Sequence, residues 1–464
     1  KVTDTWPQRA LFTTKSLRFN RGSSDNLSRT KGTSTSTTKG TYSFWFKLSK
    51  TTGLTLIENG TAAADRAIVY IASDSTLKIF SKIGNSTKLD LNPNRVFRDT
   101  SAWYHLVIAI DTTDGTAGDR VKVYVNGVRE TSFATATYPD QNDALRFFTS
   151  SEIEEIGIDF ENGGLFDGYM SEVIKIDGQQ LAPTSFGVAN SDGVWTPIIY
   201  LGTYGNNGFN LQFEDAAALG TDSSPNGNTF TVNNLTSIDQ STDYPVVNYA
   251  TLNPLIYTDS TISEGNLQYT SPGSNPVFGS LSSIGMGQGK WYGEVNYASG
   301  SNHYLVLGVA DETFNSSNTS SSYDLGKSGT TSSIAYVVNT GAYRINNSNT
   351  SWGSAGGDGQ IIMWAIDKVN NKIYFGVNGV WGASSNPASN SGGIPTTALD
   401  SSTDWFIGCT NDTSGTETVA QFNFGSPPFA ISSGNTDGNG YGNFEYAVPS
   451  GFYALNTANL AEFG

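Results

Sequence analysis

VKVYVNGV at 121–128 and KIYFGVNGV at 372–380 are the stretches on which the fold turns. In the first, Val121, Val123 and Val125 alternate with Lys122 and Tyr124 before Asn126 and Gly127. In the second, Ile373, Phe375 and Val377 alternate with Lys372, Tyr374 and Gly376 before Asn378 and Gly379. Apolar residues at every second position mark a strand with one buried face. An Asn-Gly pair supplies the positive φ angles that a type I′ turn needs at both central positions. Each stretch therefore predicts a β-hairpin. Ala109-Ile110-Asp111 precedes the first and Ala365-Ile366-Asp367 the second, so the chain reads as two domains of related architecture.

Strand signals spread outward from these hairpins. SLRFN at 16–20, TYSFWFKLS at 41–49 and the runs at 67–72, 76–83 and 103–110 are each bounded by Gly, Asn, Asp or Ser, at the spacing of a sandwich. With 51 glycines among 464 residues, 12% aromatics and only 15% charged residues, helices are disfavoured and the expected class is all-β. The stretch 220–245 is dense in Asn, Ser, Thr and Asp and has no long periodic run. The expected organisation is a first sandwich over 1–215, a linker over 216–250 and a second sandwich over 251–464. FNLQFED at 209–215, similar in pattern to LRFN, is expected to close the first domain near its N-terminal strand.

SLRFN, DNLSRT, GTYSFWFKLS, WYHLVIAIDTT, VKVYVNGVRET and GLFDGYMSEVIKIDGQQL together resemble a laminin G-like, concanavalin A-type jelly roll over residues 16 to 187. GKWYGEVNY, YLVLGVAD, GDGQIIMWAIDKVNNKIYFGVNGVW and FNFGSPPF resemble a SPRY-type jelly roll over 251 to 456. Both resemblances imply concanavalin A-like β-sandwiches in tandem, and the second implies loops that bind protein or glycan without catalysis. QFEDAAALGTDSSPNGNTFTVNNL at 212–235 and VPSGFYALNTANL at 448–460 are similar to segments of marine tailed-phage structural proteins. That likeness implies a virion surface protein, as tail fibre, spike or capsid decoration. It would contact other virion proteins, form a homo-oligomer and adhere to host cell-surface glycan. A secreted bacterial carbohydrate-binding adhesin and a laminarinase-type hydrolase are the competing readings.

Charge narrows the partners. Residues 1–200 carry 21 Lys+Arg against 22 Asp+Glu, and residues 201–464 carry 5 against 20, within a total of −16. An acidic surface repels phosphate backbones and anionic membranes, so neither nucleic acid nor membrane is an expected partner. The single cysteine, Cys409 in WFIGC, excludes an intrachain disulfide and reads as a buried thiol. The sequence start, KVTDTWPQRALF, has no apolar signal-peptide core.

No enzyme site is expected. Retaining glycosidases need two carboxylates about 5 to 5.5 Å apart. In SEIEEIGIDFE, Glu152 and Glu154 share a face, but the pattern fails at Glu155 and Asp159, and these carboxylates are expected to face solvent. His105 and His303 head separate apolar strands, no G-x-S-x-G elbow occurs, and GMGQGKW at 285–291 lacks phosphate-loop spacing. DTTDGTAGD at 111–119 could offer oxygens to a structural calcium ion but lacks EF-hand spacing, so no metal ligand is assigned and no other cofactor is expected. Tyr323, Trp352 and Trp381 lie in or beside Gly/Ser/Asn-rich segments and are the candidate ligand-binding residues, since an aromatic face stacks on a sugar ring.

Overall fold

The computed structural model describes residues 13–160, 163–256, 260–271, 277–299, 305–314, 325–327, 332–411 and 417–464. The chain divides into two compact units, 1–246 and 247–464.

The first unit is a β-sandwich. Its main strands are β1 (Ser16–Phe19), β2 (Asn26–Thr30), β3 (Lys39–Leu48), β4 (Leu54–Ala62), β5 (Asp65–Ile71), β6 (Leu77–Ile83), β7 (Ser86–Pro93), β8 (Trp103–Asp111), β9 (Val121–Val125), β10 (Val128–Arg129), β11 (Phe133–Thr137), β12 (Ile153–Ile156) and β13 (Gly168–Asp177). One sheet runs in the order β10-β9-β8-β3-β13-β1 and the other β11-β7-β6-β5-β4-β12-β2. Phe44 and Phe46 of β3, Leu106 and Ile108 of β8, Val69 and Ile71 of β5 and Ile79 of β6 meet between the sheets, fully buried.

The stretch expected to be a linker belongs to this unit. Residues 231–233 pair with β2 and residues 240–241 with β1, extending one edge of each sheet. Leu219, Phe230 and Leu235 join the core, and Asp243 accepts from Lys47 Nζ and Trp103 Nε1, both at 2.8 Å. Three isolated apolar anchors in polar surroundings suffice to seat a chain that has no strand-length periodicity. Residues 209–211 pair with β13 at Val173 to Lys175, end to end with β1, which pairs the same strand at Gly168 to Met170.

The second unit packs a nine-stranded sheet against a six-stranded one. Trp291, Trp364 and Trp405 are fully buried in its core with Tyr297, Phe375 and Phe422. Cys409 pairs across the sheet with Leu307 and is buried, which pushes its thiol well above the usual range. Both sequence-predicted hairpins form. Asn126 and Gly127 have φ of 49° and 78°, and Asn378 and Gly379 have 47° and 83°. Each Asn also exchanges two hydrogen bonds with the head of the adjoining strand. Asn126 Oδ1 accepts from His105 N at 2.8 Å while Asn126 N donates to His105 O, and Asn378 does the same with Ile361 at 2.9 Å. The turn thus caps the neighbouring strand in both units.

A buried ion cluster bridges the two sheets of the first unit. Glu154 of β12 is wholly inaccessible. It accepts from Arg29 Nε of β2 at 2.9 Å, from Lys175 Nζ of β13 at 2.8 Å and from the Tyr42 hydroxyl of β3. Burial would raise the Glu154 carboxyl, but Lys175, Arg29 and Lys31 hold it below its usual range, while burial pushes the Lys175 and Lys31 ammonium groups down. The Arg29 guanidinium lies 4.7 Å from the Phe209 ring centre, so apolar and charged contacts share one side chain.

Removing one member of a buried ion pair leaves the others unpaired and costs about 3–5 kcal/mol. We expect Glu154→Gln to lower the unfolding free energy of the first unit by about that amount. Denaturant unfolding of Glu154→Gln, Lys175→Met and the double variant checks this: the double variant should lose less than the two single losses combined.

Candidate functional site

Strict alternation in β5 and β6 creates a second, outward face. Ala67, Val69, Ile71, Leu77 and Ile79 point into the core, which leaves Arg66, Ile68, Tyr70, Lys78, Phe80 and Lys82 on the opposite side. Antiparallel register sets Tyr70 opposite Lys78, Ile68 opposite Phe80, and Arg66 opposite Lys82, and β7 adds Asp90 opposite Phe80. Loops holding Arg21, Asp159, Gly163 and Gly164 wall this face into a groove of about 580 Å³. Gly164 must lack a side chain there, because a Cβ would stand 2.3 Å from Thr55 Oγ1.

Tyr70 and Phe80 are half-buried, each presenting part of a ring to the groove. Burial, and after it the Asp90 carboxylate, raise the Tyr70 hydroxyl above its usual range, so it stays a donor at neutral pH. One Asp90 carboxylate oxygen is buried and has no hydrogen-bond partner among the described residues. Arg66 is held from below: its Nε lies 2.7 Å from Glu58 Oε1, and its guanidinium stacks 4.8 Å from the Phe160 ring centre. Aromatic faces and cationic side chains on one rigid sheet are what a polar, ring-containing ligand requires.

The residues anticipated from sequence fare differently. Tyr323 and His303 lie outside the described residues. Trp352 is core: it is 9% exposed, and its indole N–H donates to Phe375 O at 3.0 Å. Trp381 is half-buried at a sheet edge, its ring 6.3 Å from Tyr292 and 6.4 Å from Tyr374. The structure thus brings neither tryptophan into the groove, which belongs to the other unit.

Glu154, expected to face solvent, instead lies in the core, because the face it shares with Ile156 is the inward one. Glu152 is half-buried and paired with Arg146. His105 is sealed between Trp45 and Trp195, and burial lowers its pKa to about 3. Trp195 Nε1 donates to its Nδ1 at 2.9 Å, so the ring proton sits on Nε2 and is directed to Ser43 Oγ at 2.8 Å. A ring already donating to the serine cannot act as its base.

In the 111–119 loop, Asp111 pairs with Lys39 at 2.9 Å and Asp119 with Arg129 at 2.9 Å. Among the described residues no three His, Cys, Asp or Glu side chains converge as metal ligands. Glu58 and Glu155 stand directly opposite each other across β4 and β12. Glu58 has no accessible surface, so substrate cannot reach it.

The groove residues were not singled out from sequence. The available signal was an aromatic at an outward position in each of two consecutive strands, Tyr70 in DRAIVYI and Phe80 in LKIFSKI, flanked by lysines.

The family comparison agrees with the fold of the first unit. Residues 21–177 match a laminin G-type family described as the concanavalin A-like lectin/glucanases superfamily. The groove strands lie inside that match. No curated protein sequence matches the chain. Among solved structures, the chain is similar to the SPRY domain of human HERC1 at 14% identity, covering 37% of this chain and 96% of that one, with a TM-score of 0.30. It is also similar to the SAP-like pentraxin of Limulus polyphemus at 17% identity, covering 36% and 77%, with a TM-score of 0.27. Domain 4 of the arabinanase AbnA from Geobacillus stearothermophilus, solved with arabinotriose, gives 18% identity, coverage of 31% and 63%, and a TM-score of 0.23.

Another perturbed carboxylate, Glu172, also has a structural explanation. It occupies the β13 bulge with φ of 48°, accepts from Thr13 N at 2.6 Å and Gln212 Nε2 at 3.2 Å, and has Glu214 nearby. Burial pushes it to about 7. The folded chain therefore keeps a proton that the unfolded chain releases near pH 4.5, and stability falls as pH rises from about 4.5 to about 7. We expect Glu172→Gln to remove that contribution. The difference in unfolding free energy between variant and wild type should shift in the variant's favour by about 3 kcal/mol across this range and stay constant above it.

Proposed function

We propose that this chain is a bacteriophage virion surface protein, a tail fibre, spike or capsid decoration, whose first sandwich adheres to host-surface glycan through the β5–β7 groove. The rest of its surface attaches it to other virion proteins, with copies of itself in a homo-oligomer. The observation that carries the adhesion reading is the groove itself: Tyr70 and Phe80 offer ring faces beside the Lys78 and Lys82 side chains on the same rigid sheet. The lectin/glucanase description of the matching family supports it. The virion assignment rests on the likeness of 212–235 and 448–460 to phage structural segments. These stretches close their respective sandwiches: Phe230 and Leu235 enter the first core, and Leu455 enters the second.

We read the groove as binding rather than catalytic. Hydrolysis of a glycoside needs two carboxylates that reach the scissile bond, and in the Glu58–Glu155 pair one member is sealed beneath Arg66. No catalytic residue is assigned.

Two measurements check this. Surface plasmon resonance over immobilised bacterial polysaccharides should show binding that Tyr70→Ala/Phe80→Ala weakens at least about tenfold, which is about 1.4 kcal/mol for two stacking faces. Released reducing ends should stay at background. Cryo-electron microscopy of purified particles should find two sandwiches of this size on the virion exterior. Particles lacking the chain would favour a secreted bacterial adhesin, and unchanged binding by the double variant would remove the groove from the account.

A further inference from the structure

We infer that the ligand of this groove is an acidic polysaccharide, whose carboxylate or sulfate groups are held by Lys78 and Lys82 while its sugar rings lie on Tyr70 and Phe80. The inference rests on the glycan-adhesion reading of the same groove and specifies the ligand's charge.

The argument starts from what each cation in the groove already has. Arg66 is matched by Glu58 at 2.7 Å. Arg21 donates weakly to Gly163 O at 3.5 Å. Lys78 and Lys82 form no ion pair among the described residues, and Lys82 Nζ rests 5.2 Å from the Phe80 ring centre. Two lysines thus stand on one strand, on the groove side, with no ion-pair partner among the described residues. They belong to a chain in which acidic residues outnumber basic ones, 42 to 26.

For Lys82 the placement is unfavourable, and Glu58 offsets it only through Arg66. Lys82 is directly opposite Arg66, and like charges facing each other across an antiparallel pair are destabilising. Asp90, the carboxylate nearest in register, faces Phe80 rather than either lysine. An anionic group over the groove relieves that repulsion and satisfies both ammonium groups in a partly desolvated setting, where a charge-assisted hydrogen bond is stronger than in open water.

Spacing favours an extended ligand. The Cα atoms of Lys78 and Lys82 are four residues apart on an extended strand, roughly 13 Å at about 3.3 Å per residue, so a chain with acidic groups on successive sugars can engage both ammonium groups. The two ring faces between them explain why a sugar, rather than any flexible polyanion, suits the site: Phe80 lies midway between the lysines on β6, with Tyr70 diagonal to it on β5. Hydroxyl groups of the sugar find acceptors in Asp90 and Asp159.

The test is isothermal titration of the full chain with alginate and with heparin oligosaccharides, with neutral laminarin and poly-glutamate as controls, at about 50 mM and about 500 mM salt. Screening at the higher salt shortens the reach of charge to a few ångströms. The inference expects the acidic polysaccharides to bind at least about tenfold more tightly than laminarin at low salt, with most of that margin lost at high salt. Lys78→Gln/Lys82→Gln should abolish the margin while leaving the circular dichroism spectrum unchanged and the unfolding midpoint no lower, and Tyr70→Ala should weaken every sugar. Equal, salt-indifferent binding of laminarin would overturn the acidic assignment and leave glycan adhesion standing. So would acidic binding that the lysine variant leaves intact. Poly-glutamate binding as tightly as alginate would reduce the groove to a general polyanion surface. Binding of no polysaccharide would remove the adhesion reading and this inference together.

Discussion

Glu154 cannot be moved by one residue without undoing the first sandwich. Its carboxylate is sealed between the sheets, where Lys175 and Tyr42 reach it from one and Arg29 from the other. Because successive strand residues point to opposite faces, seating Glu154 inward forces Glu155 outward. Register then sets Glu155 against Glu58 of β4, and Glu58 holds Arg66 on β5. The groove face is thus tied, strand by strand, to the parity of a single buried charge. A one-residue slip of β12 would expose that charge's partners and bury Glu155 in their place. An apolar residue at position 154 would tolerate sliding more readily, which is a reason for an ionic cluster in a core otherwise filled by Phe, Leu and Ile.

Much of this fold was readable from periodicity and turn chemistry. The two Val-Asn-Gly-Val turns form as expected because positive φ at two successive positions leaves few alternatives to Asn-Gly. The structure adds a second role that the sequence did not announce, since each Asn side chain caps the adjoining strand. Residues 216–246 pack with the first sandwich for a physical reason that periodicity does not reveal. They add only two- and three-residue strands to sheet edges and hold on through Phe230, Leu235 and Asp243. Single anchors spaced five or more residues apart carry no period to detect. Their partners, Lys47 and Trp103, are more than 130 residues away in sequence.

The site was less legible. Trp352 and Trp381 stood out because large aromatics in polar loops are conspicuous, yet Trp352 packs inward with its N–H satisfied, as most buried tryptophans do. Tyr70 and Phe80 were inconspicuous because they sit inside ordinary-looking strands. Their exposure depends on which face the other sheet covers, a tertiary fact that strand alternation alone leaves two-fold ambiguous. Glu154 was misread through the same ambiguity. In SEIEEIGIDFE either parity turns a glutamate inward, and the burial of Ile156 rather than Ile153 decides for Glu154.

The same cluster bears on how function is to be sought in this chain. Strongly shifted titratable groups commonly mark active sites, since catalysis needs tuned acids and bases. Here Glu154 is shifted by the cations buried with it and Glu172 and His105 by burial, and each has a structural partner set: a cross-sheet ion cluster, a strand bulge, an indole stack. Glu294 in the second unit repeats the pattern. It is buried without a cation, and it accepts from Tyr292 and from the backbone amides of Glu445 and Tyr446, which fastens a late loop onto the sheet. Where groups as strongly shifted as these are sealed, perturbation reports on architecture. The residues available to a ligand are found instead by asking which side chains the sheet leaves exposed and incompletely partnered. In the first unit that question leads to the outward row of β5, β6 and β7.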